Sequence, residues 1–208
     1  LSKLDEMERN TSIKNTGKNH MRQFRDPNTG EFRTLTANEF LEMWKNYDTD
    51  GNGFIDGKEL DKLLLDFMTS LTASKETEFV SVKLFNEFKQ KFMQAYDEND
   101  NGKIEIKELV HVVPIEQPLS DLLLHHNSLK TSVDFMKVWK KYDADNSGYI
   151  EIEELEKILN DFYKETTSHT IPVDKLREYT SLIFEIFDSN KDGKLQLSEV
   201  SRYVRFFY

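Results

Sequence analysis

The chain has 208 residues, a formal net charge of −10, 12% aromatic residues and no cysteine. Its length and apolar content allow a buried core in one or two domains and argue against a disordered chain. The acidic balance argues against nucleic acid as a partner, and the absence of cysteine excludes disulfides and zinc–thiolate sites. No apolar run approaches the roughly 20 residues of a membrane span, and the N-terminal residues are charged rather than signal-like, so the expected location is the cytoplasm.

Residues 1–35 are predominantly polar and contain a turn signal at residues 26–30, with the sequence DPNTG. We expect an N-terminal tail here and assign no helix or strand to it. Beyond the tail, one pattern occurs four times: an amphipathic helical stretch, a polar segment of 12 residues and a second amphipathic stretch. The four polar segments span residues 48–59, 97–108, 143–154 and 188–199.

The helical stretches are recognised by aromatic and aliphatic residues that recur at intervals of three or four. Their predicted core residues are, in chain order, Phe40, Trp44, Tyr47, Leu60, Leu63, Leu64, Phe67, Phe85, Phe88, Phe92, Tyr96, Leu109, Val112, Val113, Phe135, Trp139, Tyr142, Leu155, Ile158, Leu159, Phe162, Leu176, Ile183, Phe184, Phe187, Val200, Val204 and Phe207. This periodicity indicates a protein core rather than a cofactor-binding surface.

The four repeats alternate in sequence. The first and third are most similar, with Trp44 and Trp139 at the same position, and the second and fourth share a pattern of their own. Pro114 interrupts the helical periodicity between the second and third repeats. We therefore predict an all-α protein with two paired lobes. The first pair, the linker and the second pair are expected to span residues 36–113, 114–131 and 132–208, respectively.

The polar segments carry oxygen-bearing side chains at alternate positions around a central glycine. Ca²⁺ takes about 6–8 oxygen ligands, and a 12-residue loop supplies them from positions 1, 3, 5, 7, 9 and 12 when it bends sharply at position 6. Glycine occupies position 6 in all four segments, where a positive φ is needed. The predicted ligands, with position 7 binding through its backbone carbonyl, are Asp48, Asp50, Asn52, Phe54, Asp56, Glu59, Asp97, Asn99, Asn101, Lys103, Glu105, Glu108, Asp143, Asp145, Ser147, Tyr149, Glu151, Glu154, Asp188, Asn190, Asp192, Lys194, Gln196 and Glu199.

Positions 8 and 12 complete the pattern. Position 12 is glutamate in every loop, and its two carboxylate oxygens favour the larger Ca²⁺ over Mg²⁺. Position 8 is aliphatic, and we predict two short β-bridges between neighbouring loops, one joining Ile55 to Ile104 and one joining Ile150 to Leu195. Loops of this kind flanked by helices are EF-hands, so the sequence predicts four Ca²⁺ sites, with Mg²⁺ as a possible competitor.

The charge of the loops suggests an order of affinity. Loops one and three present four carboxylates at the ligand positions, whereas loops two and four present three. More ligand charge generally tightens Ca²⁺ binding, although site rigidity and pairing can reverse the order. The hypothesis is that loops one and three bind Ca²⁺ more tightly.

The segments MRQFRDP, LTANEFLEMWKNYDTDGNG, SVDFMKVWKKYDADNSGYIEIEEL and KLREYTSLIFEIFDSNKDGKLQLSE resemble the calbindin, calretinin and secretagogin family of EF-hand calcium-binding proteins. The resemblance covers about residues 20–200 and is most specific in the aromatic helices before the loops. It implies a cytosolic calcium buffer with some sensor behaviour toward protein partners, and it implies ligands at the positions given above. The family usually has six hands and in some members a degenerate second hand, whereas this sequence contains four hands and its second loop is complete.

Two functions remain open at the sequence level. A buffer binds Ca²⁺ with little change in its exposed surface, whereas a sensor opens its helices and presents an apolar, often Met-rich groove to target proteins. The six methionines are scattered along the chain, which favours a buffer, and the alternative is a sensor that regulates target proteins. No catalytic motif is present, so the chain is predicted not to be an enzyme and is expected to be a monomer without nucleic-acid partners.

Overall fold

The computed structural model of the protein describes residues 12–71, 79–117, 119–120 and 132–204. Its elements, in chain order, are β1 (Ser12–Lys14), the 3₁₀ helix η1 (His20–Phe24), α1 (Ala37–Tyr47), α2 (Gly57–Ser70), β2 (Phe79–Ser81), α3 (Val82–Tyr96), α4 (Ile106–Val110), α5 (Ser132–Tyr142), β3 (Tyr149–Ile150), α6 (Ile152–Thr167), α7 (Val173–Phe187), β4 (Leu195–Gln196) and α8 (Leu197–Val204). The strands are only two or three residues long, and the predicted all-α fold is confirmed.

Each polar loop lies between two helices, as predicted, but one helix is shorter than its periodicity suggests. Helix α4 ends at Val110, whereas apolar residues continue to Val113. Pro114 disfavours the helical conformation in the residue before it. The backbone N–H of His111 instead closes a tight turn on the carbonyl of Glu108 at 3.1 Å.

Neighbouring loops pair through short β-bridges at position 8. Ile55 and Ile104 exchange backbone hydrogen bonds of 2.8 and 3.0 Å, and β3 pairs antiparallel with β4 so that Ile150 lies opposite Leu195. All four side chains are at most 2% exposed. Both predicted bridges are confirmed, and they bring the two loops of each pair side by side.

The predicted apolar stripes supply much of the described core. Buried members are Phe40, Trp44, Tyr47, Leu60, Leu63, Leu64, Phe85, Phe92, Leu109, Val113, Trp139, Tyr142, Leu155 and Leu159. In α7 the prediction is displaced along the helix: Tyr179 and Leu182 are the buried apolar residues, and the predicted Leu176, Ile183, Phe184 and Phe187 are only partly buried. Burial of each large apolar side chain contributes about 1.5–3 kcal/mol. Phe67 and Phe88 are only partly buried and stack on one another with ring centroids 5.8 Å apart. The side chains of Phe135, Val204 and Phe207 lie outside the part of the structure that is described.

The chain folds as two compact units. The first contains the described residues up to Leu35 together with Glu39–Pro114, and so carries loops one and two. The second contains Thr36–Asn38 together with the described residues from Ile115 onward, and so carries loops three and four.

Residues 12–35 form defined structure, although no element is predicted for them from the sequence. Strand β1 pairs antiparallel with β2, with Ser12 opposite Ser81. The 3₁₀ helix η1 buries the side chains of Met21 and Phe24, which are 0% and 1% exposed. This segment is therefore part of the first unit.

The turn predicted at residues 26–30 is confirmed. The Asp26 carboxylate accepts hydrogen bonds from the backbone N–H groups of Asn28 and Thr29, at 2.7 and 3.0 Å. These hydrogen bonds lower the pKa of Asp26. Gly30 ends the turn with φ +73°, a conformation that glycine adopts without steric cost.

Candidate metal centres

The first residue of each loop organises the loop backbone. In loop one, the two carboxylate oxygens of Asp48 accept hydrogen bonds from the backbone N–H groups of Asn52 and Gly53, both at 3.1 Å. The same two contacts, from positions 5 and 6 to position 1, recur at Asp97, Asp143 and Asp188. Each loop is therefore wound around its first carboxylate.

Two positions in each loop adopt a left-handed backbone conformation. Position 6 is glycine with φ between +77° and +85°, as predicted. Position 4 is also left-handed, a requirement that the ligand pattern does not reveal, and its residues have φ between +54° and +67°. They are Gly51, Asp100, Asn146 and Lys191. Asparagine and aspartate tolerate this conformation better than other side chains, so the lysine in loop four is strained.

The glutamate at position 12 folds back onto the start of its own loop. One carboxylate oxygen of Glu59 accepts a hydrogen bond from the backbone N–H of Thr49 at 2.8 Å. The equivalent contact to position 2 measures 2.9 to 3.0 Å at Glu108, Glu154 and Glu199. Positions 1 and 12 are thereby brought to the same end of every loop.

The side chain at position 5 supports position 7. The amide oxygen of Asn52 accepts a hydrogen bond from the backbone N–H of Phe54 at 2.8 Å. The same contact, at 2.8 to 3.3 Å, is made by Asn101, Ser147 and Asp192 to the residue two positions further on. This contact holds the side-chain oxygen of position 5 close to the backbone of position 7, the other predicted ligand in this part of the loop.

Loops one and three each gather three carboxylates. The carboxylate oxygens of Asp48, Asp50 and Glu59 lie within 4.8 Å of one another, and so do those of Asp143, Asp145 and Glu154. In loop one, the second oxygen of Glu59 is buried and has no hydrogen-bond partner in the described structure. Carboxylates at this separation repel one another unless a cation lies between them, and an unpartnered oxygen is available as a ligand. These residues therefore fit a divalent cation.

At position 3, loops two and four have an amide where loops one and three have a carboxylate. The amide nitrogens of Asn99 and Asn101 both donate to one oxygen of Glu105, at 3.1 and 2.9 Å. In loop four, the amide nitrogen of Asn190 donates to Asp192 at 3.0 Å. To bind a cation, the amides of Asn99 and Asn190 must rotate so that the oxygen faces the metal. Over the described ranges, neither loop brings three carboxylates within the spacing seen in loops one and three.

A lysine in each even-numbered loop contacts the neighbouring loop. The ammonium group of Lys103 lies 2.8 Å from the carboxylate of Asp56 and 4.7 Å from the ring centroid of Phe54. Lys194 repeats both contacts, at 2.8 Å to Glu151 and 5.2 Å to the ring of Tyr149. We call Lys103 and Lys194 the cross-loop lysines. Position 9 of loops one and three is thus paired with a cation from the partner loop, a contact that is not predicted from the sequence.

In loops two and three, position 9 also caps the N-terminus of the helix that follows the loop. Glu105 and Glu151 are the N-cap residues of α4 and α6, where each forms a reciprocal capping box with the position-12 glutamate of its loop, Glu108 or Glu154. In loop four, position 9 is Gln196 instead of a carboxylate, and its amide nitrogen donates a hydrogen bond to Asp192 at 3.3 Å. The ligand set and the helix start are therefore built from the same side chains.

The pKa values of the loop carboxyl groups are shifted in different directions by their surroundings. Desolvation raises the pKa of Asp48, and the neighbouring Glu59 and Asp50 raise it further against the opposing effect of backbone hydrogen bonds. Desolvation likewise raises the pKa of Glu108. Hydrogen bonds from Ser147 instead lower the pKa of the exposed Asp145. Holding the half-buried Asp48 and the fully buried Glu108 ionised is costly, and a bound cation would offset that cost.

The profile of the EF-hand domain pair matches the chain twice, at residues 37–113 and 132–205. The chain is 47% identical over 186 residues to calbindin-32 of Drosophila melanogaster and 45% identical over 172 residues to human calretinin. It is 43% identical over 168 residues to human calbindin. These alignments cover 88%, 81% and 81% of this chain, respectively, and the chain spans about 60% of the length of these relatives.

Among solved structures, caltubin from the great pond snail aligns with 80% of this chain at 17% identity and a TM-score of 0.26. That similarity is too low to support an argument about the arrangement of the hands. Within the residues that the structure describes, no helix has the length and apolar character needed to cross a membrane.

Proposed function

This chain belongs to the EF-hand family and is a homologue of the calbindins and calretinins, and on that basis we propose that it acts chiefly as a cytoplasmic calcium buffer with four functional sites. Its place in this family makes it a calcium-binding protein and not an enzyme. In this proposal the protein is a monomer whose ligands are Ca²⁺ ions, with Mg²⁺ as the competing cation.

The observation that supports four sites is the recurrence of one loop arrangement. In every loop, position 1 accepts hydrogen bonds from positions 5 and 6, and position 12 accepts one from position 2. The backbone path is therefore set by contacts that do not require a cation. Side-chain rotations at positions 3, 5 and 12 would then complete the shell of oxygen atoms, and the two oxygens of glutamate 12 would favour Ca²⁺ over Mg²⁺.

Buffering is supported by the burial of the apolar stripes that a sensor would present to a target. Phe40, Leu63, Leu64, Phe85 and Phe92 in the first unit are at most 4% exposed. A protein that keeps such a surface covered has little to offer a partner helix.

The four sites are tested by changing each position-12 glutamate to glutamine, one at a time, at Glu59, Glu108, Glu154 and Glu199. Each change replaces one ligand oxygen by an NH₂ group, so we expect the affected site to lose at least about 1.4 kcal/mol, or tenfold in affinity. Calorimetric titration with Ca²⁺ in millimolar Mg²⁺ reports the number of sites, their ranking and their selectivity. On the charge argument, the Glu59→Gln and Glu154→Gln variants should lose the tighter sites.

Glu153→Gln is the matched control, because Glu153 is an exposed neighbour of Glu154 that lies outside the predicted ligand set. It should titrate like the unaltered protein. A position-12 variant that keeps all the sites of the unaltered protein would remove that loop from the metal centres. Equal losses in all four variants would remove the proposed ranking.

A calcium sensor is the second candidate, and the surface of the second unit favours it. A cavity of about 600 Å³ there is lined by Ile152 and Phe184 together with polar residues that include Arg177. Ile152 and Val173 are 49% and 67% exposed, although Phe79 and Leu84 of the first unit are exposed to a similar degree, at 57% and 53%. A hydrophobic dye distinguishes the candidates: a large Ca²⁺-dependent rise in its fluorescence would support a sensor with protein targets, and an unchanged signal would support a buffer.

A further inference from the structure

The first and third hands share a hydrogen bond between their two helices. In the first hand, the hydroxyl of Tyr47 at the end of α1 donates to the carboxylate of Asp66 in α2 at 2.8 Å. In the third hand, Tyr142 at the end of α5 donates to Asp161 in α6, also at 2.8 Å and at the same separation of 19 residues. Opening either hand changes the angle between these helices and must break or distort this contact.

The two contacts lie in different environments. Asp66 is 0% exposed, and besides Tyr47 it accepts hydrogen bonds from the side chains of Asn15 and Lys62, at 2.8 and 2.7 Å. The side chain of Asp161 is 48% exposed, and its ion pair with Lys141 is a longer 3.5 Å. Breaking the buried network leaves a desolvated carboxylate without its partners, whereas water replaces the partner of the exposed one.

The buried network is closed by the N-terminal segment of residues 15–25, which we call the N-terminal clasp. Besides bonding to Asp66, the amide nitrogen of Asn15 donates to the hydroxyl of Thr69 at 2.8 Å. The clasp also supplies donors to two carbonyls near the end of α2, and that of Thr69 lies in the last turn, where carbonyls lack partners within the helix. Asn19 donates to the Asp66 carbonyl at 3.0 Å, and Arg22 donates to the Thr69 carbonyl at 3.3 Å.

The docking face on α2 is specific to the first hand. Thr69 and Ser70 are 3% and 7% exposed beneath the clasp, and the hydroxyl of Ser70 accepts a hydrogen bond from the Arg25 side chain at 2.6 Å. The residues at the same repeat positions in α6 are Lys164 and Glu165, both of which are exposed. Their long charged side chains give the third hand no equivalent face.

We propose that the N-terminal clasp holds the helices of the first hand at a fixed angle whether or not Ca²⁺ is bound, so that Ca²⁺ rearranges the third hand but not the first. This inference rests on the proposed binding of Ca²⁺ by both units. It divides the two candidate functions within one chain: the first hand buffers, and the third hand is able to respond.

The first and third hands each carry one tryptophan, at matched positions, that can report on them. Trp44 in α1 is 3% exposed and Trp139 in α5 is 6% exposed, and the chain contains two tryptophans in total. Trp139→Phe leaves Trp44 as the reporter of the first hand, and Trp44→Phe leaves Trp139 as the reporter of the third. The measurement is the change in acrylamide quenching of the remaining tryptophan when Ca²⁺ is added. We expect a change several-fold smaller for Trp44 than for Trp139.

Releasing the clasp should transfer the response to the first hand. In the Trp44-only protein, the double change Asn15→Ala and Asn19→Ala removes clasp donors without altering either helix of the hand, and the Ca²⁺-dependent quenching change should increase several-fold. Tyr47→Phe removes the hydroxyl that donates to Asp66, and it should increase the Ca²⁺-dependent quenching change in the same way. The matched control is Tyr142→Phe in the Trp139-only protein, which should change the response little because Asp161 is already solvated.

Three outcomes overturn the inference. The first is a Trp44 response as large as that of Trp139 in proteins with an intact clasp, and the second is a Trp139 that does not respond to Ca²⁺. The third is a Trp44 response that stays small after the asparagines are removed from a protein whose circular dichroism shows normal helix content. If Tyr47→Phe does not fold, the asparagine variant decides. Calorimetry on the same proteins separates the proposed function from the proposed role of the clasp. Absence of Ca²⁺ binding would contradict the proposed function. Normal Ca²⁺ binding with equal quenching changes for Trp44 and Trp139 would contradict only the role of the clasp.

Discussion

At the scale of single residues, the loops combine ligands with backbone positions that restrict residue choice. Lys191 occupies position 4 of loop four with φ +57°, where loop three has Asn146 with φ +56°. A left-handed conformation costs an ordinary L-residue about 1–2 kcal/mol, and asparagine tolerates it better. Loop four therefore carries strain that its counterpart avoids.

Lys191→Asn should stabilise the calcium-free protein by about 0.5–1 kcal/mol, because it keeps the backbone path and lowers the cost of following it. The reciprocal change Asn146→Lys should destabilise the protein by a similar amount. Urea denaturation in the presence of a chelator measures both free energies of unfolding. Lys191→Gln is the control for lost charge, since glutamine is uncharged but no better suited to this conformation. A Gln variant as stable as the Asn variant would show that charge, not backbone strain, sets the difference.

At the scale of elements, the β-bridges place one loop's lysine against the neighbouring loop's position 9. Lys103 holds the Asp56 carboxylate and adds a positive charge beside the first site. Lys103→Met should therefore tighten Ca²⁺ binding at the first site by about 0.5–1 kcal/mol, roughly two- to fivefold, with a smaller effect at high salt because both partners are partly exposed. Calcium titration of the Glu108→Gln background, where the second site is weakened, measures the first site more directly.

Lys194→Met should act in the same way on the third site, through Glu151. Lys83→Met is a control that removes the same charge from an exposed position on α3, where the side chain is 87% exposed and lies 3.9 Å from Glu87. Weaker binding at the first site after Lys103→Met would contradict the expectation and show that the lysine orders the loop more than it repels the cation.

The elements also show what could be predicted from the sequence. The helices and the bridge of Ile55 with Ile104 follow from periodicity and from a fixed loop length, so they could be read locally. The cross-loop lysines could be inferred only after the register of the bridge was known. The N-terminal clasp could not be predicted, because Asn15 and Asp66 are polar residues 51 positions apart, and neither periodicity nor composition marks such a contact.

At the scale of the whole molecule, the formal net charge of −10 opposes the compact state until cations bind. Four divalent ions would neutralise most of this charge. We therefore expect added KCl to raise the melting temperature of the calcium-free protein by a few degrees, about 1 kcal/mol, and to affect the calcium-loaded protein less. Thermal unfolding at several KCl concentrations, with chelator or with excess Ca²⁺, makes the comparison. Equal salt dependence in both states would show that the charge of the loops does not limit stability.

The N-terminal clasp also sets an order of events during synthesis. Its partners Asp66, Thr69 and Ser70 in α2 lie 45 to 54 residues further along the chain, so the residues of the clasp leave the ribosome before these partners are available. The helices α1 and α2 need only local contacts and can form first. In a refolding experiment with pulsed deuterium labelling, amide protons of residues 20–25 should therefore become protected from exchange later than those of α1 and α2.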